Sequence, residues 1–305
     1  MKNMSYESFC SYIKKSVEQY YGEETEVKLQ PVQKVNGVIL QGITIGKKGH
    51  NIMPTLYLEQ FYERFVDGME LYKVVCSFIE EYEKAEVNPD FDIDFFTDYD
   101  KVKPHLGYKL LHYDMNQKLL QQVPHKRYLD LVIVCYCSVL DERIGAGTIL
   151  IRNEHLEMWN KKESEILEDA MENMPLIFPA EFMEMKEVLK KMYSDPAQLL
   201  DDMIPMYVLT NKQRMFGAAS FLYKGQAEKI SEILQDDFYI LPSSIHEVII
   251  LPKKNGTDEE YLSHMVDEIN HEHLNREEIL SDHAYLYSRQ IKKLIPLPLI
   301  PYEKN

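Results

Sequence analysis

Residues 32–45, VQKVNGVILQGITI, decide the fold class. Asn36-Gly37 sits between two runs of strand-forming residues. A tight type I′ hairpin turn needs positive φ at both central positions, which Asn and Gly tolerate best. The stretch predicts two antiparallel strands within 31–46 with Asn36-Gly37 at the turn. Working outward toward the N-terminus, Phe9, Tyr12, Ile13, Val17 and Tyr20 recur at helical spacing and Gly22 follows as a stop. Toward the C-terminus, Leu58, Phe61, Tyr62, Phe65 and Met69 line one side of a helix that Asp67-Gly68 breaks. A second helix follows through Val75, Cys76, Ile79 and Tyr82.

Beyond residue 90 the pattern changes. Residues 103–113 and 128–140 read as strands, the second almost wholly apolar and therefore central. Gly145-Ala146-Gly147 reads as a turn, Asn153 as the cap of a helix that reaches Met171, and 180–193 as a Met-rich helix. Short strands are expected at 206–210, 238–241, 248–251 and 284–287, with a helix whose T-x-x-E capping box is Thr257 and Glu260. Strands and helices mix without a strict βαβ rhythm and a hairpin is present, so the class is α+β, with mixed or antiparallel sheets and flanking helices. Two structural units are expected, 1–90 (helix, hairpin, helices) and 91–305 (a larger α+β unit with a connector near 174–203).

The 305 residues are 45% hydrophobic and 28% charged, an ordinary globular composition. The net charge of −16 argues against a nucleic-acid backbone as the main partner, which needs a positive surface. No stretch approaches the roughly 18 apolar residues of a membrane span, and the N-terminus lacks the apolar region of a signal peptide. Four cysteines and no secretion signal predict a cytoplasmic protein with reduced, mostly buried thiols. Cys135 and Cys137 point to one face of a strand, without a second pair at zinc spacing.

Two metal patterns are weaker than they look. Asp92, Asp94, Asp98 and Asp100 offer hard oxygen ligands but lack the glycine and closing glutamate of a calcium loop. His264, Asp267 and His271 share a helical stripe nearly opposite Leu262, Val266 and Ile269, which reads as a solvated face. No metal and no cofactor is expected. G-x-S-x-G, the phosphate-binding P-loop and G-x-G-x-x-G are all missing from the sequence.

Two segments converge better. In Leu209-Thr210-Asn211-Lys212-Gln213-Arg214, polar groups cluster where a strand hands over to a helix, and Gly217-Ala218-Ala219 permits close backbone approach. In Leu241-Pro242-Ser243-Ser244-Ile245-His246-Glu247, a strand starting near Ser244 puts Ser244 and His246 on one face and Glu247 on the other. Asn211, Arg214, Ser243, Ser244, His246 and Glu247 are the candidate ligand-binding residues, for a small molecule or a protein partner. The alternative is a hydrolase or transferase using His246 with a nearby serine or carboxylate. The two loops are expected to lie together, with the Asn211 amide on the backbone of the second turn.

The run Tyr207–Lys212 through Gly217–Tyr223, with Phe238-Tyr-Ile-Leu-Pro-Ser-Ser-Ile-His-Glu-Val-Ile, resembles a family of uncharacterised proteins of clostridial gut bacteria. Pro124-His125 and Ile149–Leu156 before Trp159 share the resemblance, which spans nearly the whole chain. That family carries a domain-of-unknown-function label, so the resemblance implies no activity, cofactor or catalytic residue.

Overall fold

The computed structural model describes residues 4–22, 24–46, 54–85, 93–141, 145–192 and 204–299. It is α+β, and the chain divides into two compact units. One is Met1–Thr97 with Leu140–Gly147; the other is Asp98–Val139 with Thr148–Asn305.

In the first unit, α1 (Tyr6–Tyr21) starts at Ser5, whose hydroxyl accepts from the Ser8 amide. Phe9, Ile13 and Val17 form its buried stripe, while Tyr12 and Tyr20 are exposed, against the expectation from spacing. Tyr12 sits to one side of that stripe, and Tyr20 reaches out to Glu83 from the last turn. The hairpin forms as expected from β1 (Glu26–Gln33) and β2 (Ile39–Gly46). Asn36 (φ 55°) and Gly37 (φ 70°) both take positive φ, and the Val38 amide closes the turn on Val35 O at 3.2 Å. The register differs from that of a bare two-residue loop. Lys34 N–H also bonds Val38 O, and Gln33 opposes Ile39, so two residues face one across a bulge. Strand β3 (Leu56–Tyr57) joins β2, and α2 (Glu59–Val66), α3 (Leu71–Ala85) and α4 (Ile93–Thr97) follow. Ile43, Phe61 and Phe78 meet the α1 stripe in one core. At its edge the Tyr82 hydroxyl accepts from Ile45 N–H at 2.9 Å.

The second unit opens with α5 (Tyr99–Val102), capped by the Asp98 carboxylate. Asp98 of the acidic cluster is thus a helix cap, and Asp92 lies outside the described residues. Then come β4 (Leu106–His112), α6 (Gln117–Leu120), β5 (His125–Tyr128), β6 (Leu131–Asp141) and β7 (Gly145–Leu150), the end of β6 from Leu140 and the start of β7 up to Gly147 being counted with the first unit. They form an antiparallel sheet in the order β4-β6-β5, with β7 also on β6. Gly145 and Gly147 therefore belong to a strand, not a turn. Cys135 and Cys137 on β6 are fully buried, and burial pushes the Cys137 thiol up to about 12. Cys76, by contrast, is exposed.

Helices α7 (Asn153–Trp159) and α8 (Glu163–Ile177) are separate, because Asn160 turns left-handed at φ 51°. Asn153 is the first residue of α7, and Arg152 takes the cap position. Pro175 lies inside α8, in its last turn, where its missing N–H removes only one late helical bond. The expected helix over 180–193 is instead β8 (Ala180–Glu184) followed by α9 (Met185–Met192). Pairing with β9 (Tyr207–Asn211), and Phe182 stacking on Tyr207 at 4.9 Å, override the helical leaning of Ala, Glu and Met. The remaining elements are α10 (Gln226–Leu234), β10 (Phe238–Pro242), β11 (Val248–Pro252), α11 (Glu259–Glu272), β12 (Tyr285–Ser288) and β13 (Lys293–Pro296). Asp258, not Thr257, caps α11, its carboxylate accepting from Glu260 N–H. The second sheet runs β13-β12-β10-β11-β9-β8, antiparallel throughout. Tyr239, Leu241 and Leu251 on one face pack with Leu262 and Val266 of α11. Alternation sends Phe238, Ile240, Tyr285 and Tyr287 to the other face, where they too are buried.

Candidate functional site

The two segments singled out from sequence meet. Thr210 Oγ1 donates to His246 O at 2.8 Å, and Phe216 N–H donates to His246 Nδ1 at 3.2 Å. The His246 ring lies parallel to that of Phe216, centroids 5.7 Å apart, with Lys109 Nζ 4.6 Å from the Phe216 ring centre. Gly217 allows this approach: a Cβ there would collide with Thr210 Oγ1, His246 O and Asn211 N. Because Nδ1 accepts, the neutral imidazole carries its proton on Nε2.

The individual roles differ from the expected ones. Asn211 is fully buried, and its amide serves Met215 N and O within its own loop, not the second turn. Arg214 is exposed, with left-handed backbone at φ 53°, its N–H held by Asn211 O. Strand β11 begins at Val248, so 243–247 is a loop and the face-sharing of Ser244 and His246 does not arise. There the Ser243 and Ser244 amides both donate to Glu247 O, and Ser244 Oγ accepts from His246 N–H at 3.0 Å. Among the described residues no serine hydroxyl bonds the His246 ring. The geometry is that of a mutual lock between two loops.

A second polar cluster was not visible in the sequence. Asp130 accepts from Ser281 Oγ (2.6 Å) and Tyr285 OH (2.8 Å), and His112 Nε2 lies 3.0 Å from Asp282 Oδ2. Burial works against the charged form of His112, but the Asp282 hydrogen bond, with Asp130 and Asp114, outweighs it and raises the imidazole. The same bond holds the Asp282 carboxyl below its usual range. Ser281 is fully buried and Asn270 donates to both Ser281 O and Asp282, which ties the cluster into one network, although the buried Oδ1 of Asn270 has no hydrogen-bond partner in it.

A concave feature of this unit lies elsewhere. A cavity of about 340 Å³ opens where the 217–222 turn, the start of α10, β5 and the β12–β13 hairpin converge. Phe221, Tyr128 and Leu294 give it apolar walls, and Lys126, Lys224, Lys292 and Lys293 rim it. None of the four ammonium groups is paired with a carboxylate among the described residues. Tyr287 lines the cavity, is 3% exposed, and its buried hydroxyl has no hydrogen-bond partner. The local sequence signals are slight: Lys224 beside Gly225 at a helix start, and the Lys292-Lys293 pair. Among the described residues no group of three or more His, Cys, Asp or Glu is arranged to hold a metal ion, and no helix is long and apolar enough to cross a membrane.

Residues 6–289 match DUF5688, a family of unknown function. The chain belongs to that family. The DUF5688 match spans both units, from the first turn of α1 to just past β12. Lys126, Lys224 and Tyr287 fall inside the DUF5688 segment, and Lys292 and Lys293 lie beyond it. No curated protein and no solved structure matches the chain.

Proposed function

We propose that this is a cytosolic protein that binds a small molecule, and that the ligand sits in the cavity rimmed by Lys126, Lys224, Lys292 and Lys293. The observation that carries the proposal is the concavity itself. About 340 Å³ lies at the lower end of the roughly 300–1,000 Å³ typical of small-molecule sites, and apolar walls with a few polar groups are their usual lining. A protein partner seeks a broader, flatter surface. In this reading the 209–219 and 241–247 segments support the site. The lock at Gly217 anchors the start of the 217–222 turn, whose far end, Phe221 and Leu222, lines the cavity. Asn211, Arg214, Ser243, Ser244, His246 and Glu247 then belong to the loops that hold that turn. A hydrolase or transferase based on His246 draws little support, since Nδ1 is engaged by Phe216 N–H and Ser244 Oγ by His246 N–H.

A thermal-shift panel of neutral, cationic and anionic metabolites, run on the wild type and on Ala227→Trp, tests the proposal. Ala227 lines the cavity on the first turn of α10, where an indole would fill the space. Compounds that raise the wild-type melting temperature should leave Ala227→Trp unmoved. Equal stabilisation of both proteins would refute the cavity as the site.

A further inference from the structure

We infer that the cavity recognises the phosphoryl group of a small phosphorylated molecule; the inference rests on the small-ligand reading above and names its chemistry. Three independent features converge. The first is charge: in a chain of net charge −16, four ammonium groups without carboxylate partners among the described residues rim one cavity, against a single lining carboxylate, Glu228. Like charges gathered around low-dielectric walls repel one another and focus a positive potential inward, which an anion relieves. The second is Tyr287. Its ring is stacked on Phe238 at 4.9 Å and pinned within the β12 pairing, so the hydroxyl is fixed in place. It is buried without a partner, and a ligand oxygen is the acceptor it lacks. The third is the start of α10, where Gly225 and Ala227 line the cavity; the Gln226 N–H is held by Tyr223 O, and the N–H groups of Ala227 and Glu228 are the first-turn donors without an intrahelical acceptor.

The donors come from β5, the loop before α10, the β12 strand and the turn after it, and so approach from several directions. A tetrahedral dianion with three terminal oxygens uses such an arrangement; a planar carboxylate engages fewer of these donors. Tyr128, Phe221 and Leu294 offer the remaining surface to the body of the molecule.

The test is isothermal titration of the full chain with inorganic pyrophosphate, in chloride buffer at low ionic strength. The wild type should bind, and Lys224→Glu with Lys293→Glu should weaken binding at least tenfold. Tyr287→Phe should weaken it about tenfold while leaving the ligand-free melting temperature unchanged or raised, because the hydroxyl it removes is unsatisfied. A structural role for that hydroxyl would lower the melting temperature instead and would overturn its assignment. Pyrophosphate binding that is indifferent to these variants overturns the inference. Absence of pyrophosphate binding, alongside a neutral compound that stabilises the wild type and not Ala227→Trp, overturns the phosphoryl inference and leaves the cavity reading standing. Sedimentation with phosphatidic-acid vesicles without binding of soluble pyrophosphate would also overturn it, in favour of a lipid headgroup.

Discussion

Gly217→Ala should destabilise the second unit far more than a single methyl suggests. Built on the existing backbone, the new Cβ would lie 2.6 Å from His246 O and 2.7 Å from Asn211 N, and closer still to Thr210 Oγ1. Two of these neighbours are backbone atoms on different segments, so no side-chain rotation relieves the overlap. The loops must part, which stretches the Thr210–His246 and Phe216–His246 hydrogen bonds. Overpacking costs about 1–3 kcal/mol, and each weakened hydrogen bond adds about 0.5–1.5 kcal/mol. A total near 3 kcal/mol, at about 2–4 °C per kcal/mol for a unit of this size, gives a fall of about 6–12 °C. Gly225→Ala is the comparator. Nothing lies within 4 Å of its would-be Cβ, so only the left-handed backbone (φ 75°) is strained, at about 1–2 kcal/mol. Calorimetric melting of the two variants decides the matter. A Gly217→Ala protein that melts within about 1 °C of the wild type, or above Gly225→Ala, would show that the lock has slack and that the packing argument is wrong.

Tyr82→Phe should cost about 1–3 kcal/mol in the first unit, because it strips the Ile45 amide of its acceptor; chemical denaturation measures it, and no change would mean that the amide finds another partner. The His112–Asp282 pair should make stability depend on pH. The raised His112 contributes below its ordinary pKa of about 6.5, and that contribution is lost as pH rises through the raised value. The lowered Asp282 contributes above its ordinary value of about 3.9 and loses that contribution as pH falls through the lowered one. Asp282→Asn should therefore cost about 1 kcal/mol near pH 5.5, discounted because the Asp282 side chain is 54% exposed, and less near pH 8.5; urea melts showing the same cost at both pH values would contradict the pairing. Ser281→Ala should destabilise by about 1–3 kcal/mol, since the half-buried Asp130 loses the donor from the fully buried Ser281, and an unchanged urea midpoint would argue against that network.

What the sequence reveals follows the range of the forces involved. The Asn36-Gly37 turn is legible because positive φ is a property of two adjacent residues. The bulge beside it is not, since Val38 bonds both Lys34 and Val35, an arrangement set by packing across the ladder. Strand β8 is hidden behind helix-forming residues and exists because β9 offers it an edge. The helix read as reaching Met171 runs on to Ile177, because a proline such as Pro175 in a final turn costs the helix little. Of the candidate residues, the meeting of the 209–219 and 241–247 loops was foreseeable from two short strands that adjoin them, and β9 does pair with β11. The partners of Asn211 and His246 were not, because Met215 and Phe216 act through backbone groups that carry no signature in sequence. The cavity is the least legible feature, assembled from residues as far apart as Lys126 and Leu294. The same distance hides the His112–Asp282 pair, separated by 170 positions.

The central claim is that the lysine-rimmed cavity is where this protein holds an anionic ligand, and anomalous diffraction tests it most directly. Crystals of the full chain, grown without phosphate or sulfate and soaked in tungstate as a heavy phosphoryl mimic, report where the anion sits. The account predicts an anomalous peak inside the cavity, within hydrogen-bonding reach of the Tyr287 hydroxyl and flanked by at least two of Lys126, Lys224, Lys292 and Lys293. Tungstate bound elsewhere with the cavity vacant, or beside the lysines but away from Tyr287, would contradict it.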